Sequence, residues 1–458
     1  MALYGVFTRN FLHFTLLLRI GYAEIAGGSL AYIGFLSLYA TGHLNPSMAF
    51  GKALRERGHS VTFFNLADTG HAIGESGLKF VPFGLEEYPE GALEQVFKKI
   101  GTLQGAAGFQ YFLERMITLA RASFRDLPGL IEAHQIDALV IDQLFPGGAT
   151  VAQHLGLSYA SLANATATNR ERSVPPPTLP WSYDATESGM ARNEKAWQQM
   201  SQAFTPWREA ENAQRKAWGL VPYNNVLEDS FSPLAQITQM IEAFDFPRKE
   251  VPSTFHYVGP LRHRSAQRPV SFPWERLNGK PLIYASMGTL QNHLQGTFRT
   301  IMDACAALDV QVVLSLGGSA LPVSELGEIP KNVVLVPYAP QLELLARAKL
   351  CITHAGLNTA LDALTYGVPL VAIPITNDQP GVAARIEATG TGEALPLDEL
   401  DAERLRELVV TVLGERRYRE RARGMREAIV RTSPLEQACE ILEEHVLARV
   451  ADFAGEAR

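Results

Sequence analysis

Cysteine is scarce in this sequence, and the three that occur lie far apart. The 458 residues contain only Cys305, Cys351 and Cys439, with no CxxC pair. A disulfide framework or a structural zinc site needs several cysteines at characteristic spacings, so the sequence supports neither. The lack of a disulfide framework fits a reducing, intracellular setting, and we predict a cytoplasmic protein.

An excess of basic residues is also missing. Forty-one Lys and Arg residues stand against 48 Asp and Glu residues, which gives a formal net charge of −7. A general nucleic-acid surface requires a basic balance, so we expect no nucleic-acid partner. The GxGxxG fingerprint of dinucleotide-binding enzymes does not appear either, which counts against a dehydrogenase.

A long hydrophobic run is lacking at the N-terminus. Residues 11–20 are mostly apolar but are interrupted by Arg19, whereas a transmembrane helix needs about 20 apolar residues. A basic Arg9 before this run suggests a signal peptide as an alternative. We favour the interpretation that residues 1–29 are an extension, poorly ordered or translated from an upstream start codon, because the first complete strand begins only near Leu30.

What the sequence does contain is hydrophobic material in short pieces that alternate with helical stretches. Hydrophobic residues make up 47% of the chain and charged residues 19%, as in a globular protein. Apolar runs followed by turns and helices predict parallel, doubly wound α/β sheets. TGHLNP, residues 41–46, is predicted to be a turn, with Pro46 in the first turn of the next helix. The predicted strands lie at 33–38, 61–65, 138–142, within 281–289, and at 311–316, 333–336, 350–353 and 369–375.

The alternation occurs twice, which predicts two doubly wound domains of similar size facing each other across a cleft, the expected ligand site. Residues 166–235 interrupt the pattern and hold four of the five tryptophans. For these we favour helix packing over an apolar wall for an acceptor. The predicted boundaries are an extension at 1–29, an N-terminal domain at 30–244, a linker at 245–276, a C-terminal domain at 277–432, and a last helix at 433–458 that packs back toward the N-terminal domain.

His43 and Asp142 are candidates for acid–base chemistry. His43 follows the first predicted strand, and Asp142 ends a later strand of the same sheet. Because ligands of open α/β sheets bind at the carboxyl edge of the strands, the two side chains can meet there. A carboxylate that orients an imidazole makes a general base. The alternative is that His43 caps the following helix and Asp142 begins a turn.

The second half carries a dense set of small and polar residues after one strand. His354 and Gly356 form a tight turn before a helix that begins near Asn358, and the exposed amides of such a helix bind anions. Asp362 lies one turn after Asn358 on the same helix face. The further candidates are Thr359 on that helix, Ser286, Gly288 and Thr289 in a second small-residue turn, and Asp378 and Gln379 after the next strand.

These features occur together in one known pattern. The resemblance is to the donor-binding signature of the UDP-dependent glycosyltransferases, and it rests on the spacing of Tyr338-Ala339-Pro340-Gln341, His354-x-Gly356-x-Asn358-Thr359, Asp362 and Asp378-Gln379. GHLNP and VIDQLFP carry a His and an Asp where this family has its base and the partner of that base. SPLAQITQ, DFPRK, FHYVGPLR and DQPGVAARI are similar to segments of bacterial zeaxanthin glucosyltransferases. The resemblance covers the chain from about Leu30 to its end.

The resemblance implies a GT-B fold of two Rossmann-like domains and an inverting, metal-independent hexosyl transfer. UDP-glucose would be the donor substrate, with no permanently bound cofactor. His43 would deprotonate the acceptor hydroxyl, and Asp142 would hold His43. The donor would be held by Tyr338 at uracil, Ala339 and Gln341 at the nucleoside, Asp362 at the ribose, His354, Gly356, Asn358, Thr359, Ser286, Gly288 and Thr289 at the diphosphate, and Asp378 and Gln379 at the sugar.

The implied acceptor is a hydrophobic small molecule, a carotenoid diol such as zeaxanthin. A flavonoid, phenolic or macrolide acceptor is the alternative, as is a sugar-nucleotide-binding protein without catalysis. The arginine-rich run 415–427 is interpreted as a solvated helix face, with peripheral contact to a membrane as the other interpretation. Three positions depart from the pattern: Asp362 replaces the Glu of plant members, Tyr338 replaces their Trp, and Ala355 stands where the zeaxanthin enzymes tend to have Gly.

Overall fold

The structure, a computed structural model, describes residues 30–103, 105–263, 270–289, 295–318 and 323–449. The interpretation of residues 1–29 lies outside the described residues. The described chain forms two separate parallel sheets with helices packed against them. This arrangement confirms the predicted fold of two Rossmann-like α/β domains.

The N-terminal sheet contains seven parallel strands in the order β3-β2-β1-β4-β5-β6-β7. Its strand order reverses between β1 and β4, which are neighbours at the centre of the sheet. The strands are β1 (Tyr32–Leu36), β2 (Ser60–Asn65), β3 (Lys79–Pro82), β4 (Ala138–Asp142), β5 (Ser158–Ala163), β6 (Ala235–Thr238) and β7 (Phe255–Tyr257). A crevice at the carboxyl ends of β1 and β4 is the expected ligand site of such a sheet.

The last strand corrects the predicted limit of the linker. Residues 255–257, which the sequence analysis places between the domains, pair in parallel with β6 and form the edge of the N-terminal sheet. This strand has only three residues and no apolar alternation, so its sequence gives little signal. The N-terminal sheet therefore extends beyond residue 244.

The first helix corrects a second prediction. The helices of this domain are α1 (Thr41–Glu56), α2 (Gly70–Glu75), α3 (Ala92–Thr102), α4 (Gly105–Ala133), α5 (Gly148–His154), α6 (Glu187–Ala203) and α7 (Thr205–Ala217). Helix α1 begins at Thr41, so TGHLNP is helical and Pro46 lies inside the helix rather than in its first turn. Because proline has no N–H, Pro46 cannot donate the helical hydrogen bond that the carbonyl of Gly42 would otherwise accept.

The clustered tryptophans pack helices, as predicted. Trp197 and Trp207 are buried, and their indole N–H groups donate to Val174 O at 2.8 Å and to Glu211 Oε1 at 3.1 Å. Trp218 stacks on His154 with ring centroids 4.0 Å apart. Trp207 lies in the core of the N-terminal domain and Trp218 stacks on His154 of α5, so these two rings join the insertion at 166–235 to the rest of the domain.

The C-terminal sheet contains six strands in the order β10-β9-β8-β11-β12-β13. The strands are β8 (Leu282–Ser286), β9 (Gln311–Ser315), β10 (Val333–Val336), β11 (Ala348–Thr353), β12 (Leu370–Ala372) and β13 (Gly392–Ala394). The helices are α8 (Gln295–Cys305), α9 (Gln341–Leu345), α10 (Leu357–Thr365), α11 (Gln379–Ala388), α12 (Ala402–Gly414), α13 (Arg416–Val430) and α14 (Pro434–Leu442). Neighbouring strands β8 and β11 bring the turns after Ser286 and Thr353 to one edge.

Helices α13 and α14 close the described chain. On α13, Arg416 and Arg423 pair with glutamates one turn later at 3.2 and 3.8 Å, so glutamates on the same helix offset part of its positive charge. Helix α14 continues into the π-helical segment Glu443–Leu447, and its apolar face joins the core of the N-terminal domain. There Arg57 Nη2 contacts Glu443 Oε2 at 2.6 Å.

A buried ion cluster joins the two domains. Asp245 accepts hydrogen bonds from Arg248 Nε at 2.7 Å, from Tyr257 OH at 2.8 Å and from Arg385 Nε of α11 at 2.8 Å. The Arg385 guanidinium also lies 4.3 Å from the centroid of the Phe246 ring. Although burial alone would raise the pKa of Asp245, the charges of Arg385 and Arg248 lower it.

Candidate active site

His43 and Asp142 form a hydrogen-bonded pair at the point where the N-terminal sheet reverses its strand order. Asp142 is the last residue of β4, and His43 lies in the first turn of α1, which follows the neighbouring strand β1. His43 Nδ1 and Asp142 Oδ2 are 2.7 Å apart. The structure therefore brings together the two residues that the sequence analysis takes from segments 99 positions apart.

The pairing fixes the tautomer of His43. An ionised carboxylate only accepts hydrogen bonds, so Nδ1 donates to Asp142 and Nε2 keeps the lone pair. Burial alone would lower the pKa of His43, but the charge and hydrogen bond of Asp142 and the charge of Asp378 raise it. The imidazole is thus basic, and 18% of its side chain is exposed, which leaves it accessible from the cleft.

Asp142 is held in turn by groups that the sequence analysis missed. Its Oδ2 also accepts from Asn164 Nδ2 at 2.7 Å, and its Oδ1 accepts from the backbone N–H of Leu144 at 2.9 Å. Asn164 Nδ2 lies 3.0 Å from the Ser47 hydroxyl as well, which donates to the carbonyl of His43 at 2.9 Å. Hydrogen bonds from neighbouring residues therefore hold both the Asp142 carboxylate and the backbone of His43 in place.

Two glycine-rich turns of the C-terminal domain enclose His354. A Cβ on Gly288 would lie 2.6 Å from His354 Nε2, and a Cβ on Gly356 would lie 2.5 Å from the same atom. The imidazole therefore fits only because both positions lack a side chain, and Gly288 also has a φ of +80°. Burial lowers the pKa of His354 to about 4, against the opposing effects of a Ser286 backbone hydrogen bond and the Asp378 charge. A neutral imidazole has a single N–H, and the hydrogen bond with the Ser286 backbone uses it.

Tyr338 presents an exposed aromatic ring beside these turns. Its side chain is 55% exposed, which is unusual for a large ring and suits stacking on a planar ligand. A Cβ on Gly318 would overlap the Tyr338 hydroxyl, and one on Gly317 would overlap the Gly288 carbonyl. The turn after β9 therefore packs directly against both the ring and the Gly288 turn. Ala339, the next residue along the chain, packs against the core of the domain.

Helix α10 begins at Leu357, with Gly356 as its N-cap, close to the predicted start. Its first amides have no intrahelical acceptors, and they suit an anion. Asn358 uses its side chain across the cleft, because Nδ2 donates to the backbone oxygen of Gly42 at 2.6 Å. This is the carbonyl that Pro46 leaves without an intrahelical donor. Thr359 is buried in the next position.

The carboxylate of Asp362, which is predicted to bind a ribose, already accepts hydrogen bonds from two other side chains. Its Oδ1 accepts from Arg262 Nε at 2.6 Å, and its Oδ2 accepts from Gln341 Nε2 at 2.7 Å. Gln341 accepts in turn from Tyr284 OH at 3.2 Å. The structure thus places the predicted pair Gln341 and Asp362 in contact, and it adds an arginine that the sequence analysis did not single out.

Asp378 and Gln379 lie at the start of α11 and are both hydrogen-bonded. Asp378 Oδ2 accepts from the backbone N–H of Thr166 at 2.9 Å and from its hydroxyl at 3.0 Å, which connects the two domains. Gln379 Oε1 accepts from the backbone N–H groups of Ile375 and Thr376 at 2.8 and 3.0 Å. Of the remaining candidates, Ser286 is buried and its hydroxyl lies 3.4 Å from the Gly288 N–H, whereas Thr289 is exposed.

Comparison with known proteins identifies the family. Residues 299–444 match the model of the erythromycin biosynthesis protein CIII-like C-terminal domain. The chain is 37% identical over 356 residues to a zeaxanthin glucosyltransferase of Pantoea ananas, covering 77% of this chain and 81% of that protein. The chain therefore belongs to the UDP-dependent glycosyltransferase family. A second zeaxanthin glucosyltransferase, from Pseudescherichia vulneris, is 32% identical over 345 residues, covering 75% of this chain and 81% of that protein.

Solved structures agree with this assignment at the level of the fold. The calicheamicin glycosyltransferase CalG4 superimposes with a TM-score of 0.70 at 22% identity, covering 92% of this chain and 99% of that chain. The glycosyltransferase of kitacinnamycin gives the same TM-score and covers 91% of this chain. The fold of this glycosyltransferase is thus the predicted GT-B arrangement.

Two features are absent from the part of the chain that the structure describes. Among the described residues, no group of three or more His, Cys, Asp or Glu residues is placed to hold a metal ion. Within the same ranges, no helix of the glycosyltransferase is long and apolar enough to cross a membrane.

Proposed function

We propose that this glycosyltransferase transfers glucose from UDP-glucose to a hydroxyl of a hydrophobic acceptor, with inversion at the anomeric carbon. The observation that carries the proposal is the 2.7 Å pair of His43 and Asp142. The pair lies in the N-terminal domain close to the start of α10, because Asn358 Nδ2 donates to the carbonyl of Gly42, the residue next to His43.

The proposed reaction moves one proton and exchanges one bond. The acceptor oxygen attacks the anomeric carbon of the UDP-α-sugar while His43 Nε2 takes the hydroxyl proton. The bond between that carbon and the diphosphate oxygen breaks, and its electron pair leaves with UDP. Asp142 stabilises the imidazolium that forms, and attack opposite the leaving group gives a β-glucoside.

The negative charge that develops on UDP would be stabilised without a metal ion. The first amides of α10 and the positive end of its dipole face an anion at that terminus. The glycines at 288 and 356 let the backbone approach the diphosphate closely, and His354, packed between them, would line that site. Tyr338 would stack on uracil, Asp362 would bind the ribose, and Asp378 and Gln379 would bind the sugar.

The proposal of an apolar acceptor rests on two relatives of the chain, and the core of the N-terminal domain next to the base is compatible with it. Tyr39, four residues before His43, packs against Phe97 of α3 with ring centroids 5.8 Å apart. Phe145, three residues after Asp142, lies 6.1 Å from the ring of Phe83. Tyr39, Phe83 and Phe145 follow β1, β3 and β4 along the chain and belong to or pack against the apolar core of the domain. Two relatives at 37% and 32% identity are zeaxanthin glucosyltransferases, which favours a carotenoid diol as the acceptor.

The test is product formation from UDP-glucose with detergent-solubilised zeaxanthin and, in parallel, with the flavonol quercetin. A zeaxanthin glucoside formed by the native protein and lost in His43→Ala supports both the acceptor and the base. Glucosylation of quercetin alone would keep the mechanism and reject the carotenoid. Tight UDP binding without any transfer would favour a non-catalytic sugar-nucleotide-binding protein.

A further inference from the structure

Arg262 stands at the start of a chain of hydrogen bonds that crosses the cleft to the base. It follows β7, in the segment that leads from the N-terminal sheet to the C-terminal domain. Its Nη2 donates to Asn358 Oδ1 at 2.9 Å, and Asn358 Nδ2 donates to the carbonyl of Gly42 at 2.6 Å. Gly42 precedes His43, so this path ends at the backbone of the base.

A second path leads from Arg262 to the other member of the catalytic pair. Arg262 Nη1 donates to Gln239 Oε1 at 3.2 Å. Gln239 Nε2 donates to the carbonyl of Asn164, and Asn164 Nδ2 donates to Asp142 Oδ2 at 2.7 Å. The two paths together form a closed ring that contains the His43–Asp142 contact.

Arg262 also holds the carboxylate of Asp362, from Nε to Oδ1 at 2.6 Å. The guanidinium is therefore bonded to three side chains at once, Gln239, Asn358 and Asp362. A planar fork of five donors can do this, whereas the single ammonium of lysine cannot reach the same three acceptors in fixed directions. Each carboxylate oxygen has two acceptor sites, so one bond from Arg262 and one from Gln341 leave capacity for a diol.

We propose that Arg262 is a positioning residue of the reaction: it sets the Asp362 carboxylate for the nucleotide ribose and links that site to the His43–Asp142 pair. This inference rests on the proposed function. An anchored carboxylate matters here because aspartate is one methylene shorter than glutamate, so its direction decides whether it reaches both ribose hydroxyls. The Asp245 cluster already joins the domains elsewhere, which separates the role of Arg262 from simple attachment.

The test compares the binding of UDP with that of 2′-deoxy-UDP to the full-length protein by titration calorimetry. The variants are Arg262→Gln and Arg262→Lys. Arg262→Lys keeps the positive charge, so it still provides a test if Arg262→Gln does not fold. The matched control is Arg57→Gln, because Arg57 also forks onto a carboxylate but does so at Glu443, away from the cleft. Thermal unfolding shows that each variant is folded.

We expect the native protein to prefer UDP by about tenfold or more, the value of one hydrogen bond to a charged group. Both Arg262 variants should reduce this preference toward one, and Arg57→Gln should keep it. Asp362→Asn should also lose the preference, with no further loss when Arg262→Gln is added. Equal weakening of both nucleotides, or an unchanged preference, would overturn the inference. A folded native protein that fails to bind UDP would instead refute the proposed function, and the inference with it.

Discussion

Replacing Asp142 by asparagine tests the central pair with almost no change in shape. Both oxygens of Asp142 accept hydrogen bonds, from His43 and Asn164 at Oδ2 and from Leu144 N–H at Oδ1. An amide has only one oxygen, so it must direct its NH₂ group at one or more of these donors. The ring of His43 then loses its acceptor at Nδ1 or turns to the other tautomer.

The expected loss in kcat is about 10²- to 10⁴-fold, the usual contribution of a general base, which is roughly 3–5 kcal/mol in the barrier. Asp142 also raises the pKa of His43, and only neutral His43 can take a proton. In Asp142→Asn the acid limb of kcat/KM should therefore move to lower pH. The pairing of protonated His43 with Asp142 also stabilises the native fold. This stabilisation is fully present below the unfolded pKa of histidine, about 6.5, and is lost as the pH rises through the folded pKa of His43. Asp142→Asn should lack this pH-dependent stabilisation.

The assay is the pH dependence of glucosyl transfer, measured together with thermal unfolding. Asp401→Asn is the control, because Asp401 accepts two backbone N–H bonds at the start of α12, in the other domain. It should lose about 1 kcal/mol of stability at most and keep its activity. A loss of less than tenfold in Asp142→Asn, with the acid limb unmoved, would refute the role given to the carboxylate.

Three further substitutions test other contacts in the structure. Gly288→Ala should raise KM for UDP-glucose at least about tenfold, because its Cβ would lie 2.6 Å from His354 Nε2 and a left-handed alanine costs roughly 1–2 kcal/mol. Asp245→Asn should lower the free energy of unfolding in urea by about 3–5 kcal/mol, because it leaves two buried arginines without their carboxylate. The hydrogen bond from Arg57 lowers the pKa of Glu443, so its stabilising effect is present above the unfolded pKa of about 4.3 and is lost as the pH falls through the folded value. Glu443→Gln should therefore speed hydrogen exchange in residues 434–447 at pH 7 and change it little at low pH.

Each of these has a result that would contradict it. Gly279→Ala has a similar φ of +83° and no atom within 4 Å of its Cβ, so an equal rise in KM there would remove the special role of Gly288. A cost below about 1 kcal/mol for Asp245→Asn would mean that water replaces the carboxylate. Unchanged exchange at pH 7 in Glu443→Gln would show that apolar packing alone holds α14.

The contact between His43 and Asp142 was predictable because it depends on topology. Alternating strands and helices place the ends of β1 and β4 at one edge, and a His and an Asp at those ends must then lie close together. The turns at Gly288 and Gly356 were predictable for a similar reason, since small residues after a strand indicate a close approach of backbone to ligand.

The residues that hold the pair were not predictable. Arg262, Gln239 and Asn164 each contact partners far away in sequence. Arg262 and Gln239 end the segments FHYVGPLR and SPLAQITQ, but the likeness of these segments to a subfamily does not indicate which side chains they contact. The start of α1 was predicted wrongly because a proline normally marks the first turn of a helix, and here the packing of the buried residues of α1 keeps it inside. The short strand β7 was missed because pairing with β6, and not its own composition, makes it a strand.

The bond between Asn358 and Gly42 has a consequence for combining domains from different relatives. On the N-terminal side the acceptor is the backbone oxygen of Gly42, and any residue at position 42 keeps such an oxygen. What keeps that oxygen without an intrahelical donor is Pro46, four residues later. A hybrid enzyme that joins a foreign N-terminal half to this C-terminal half should therefore be chosen for a proline at the position of Pro46, and its identity at position 42 matters less.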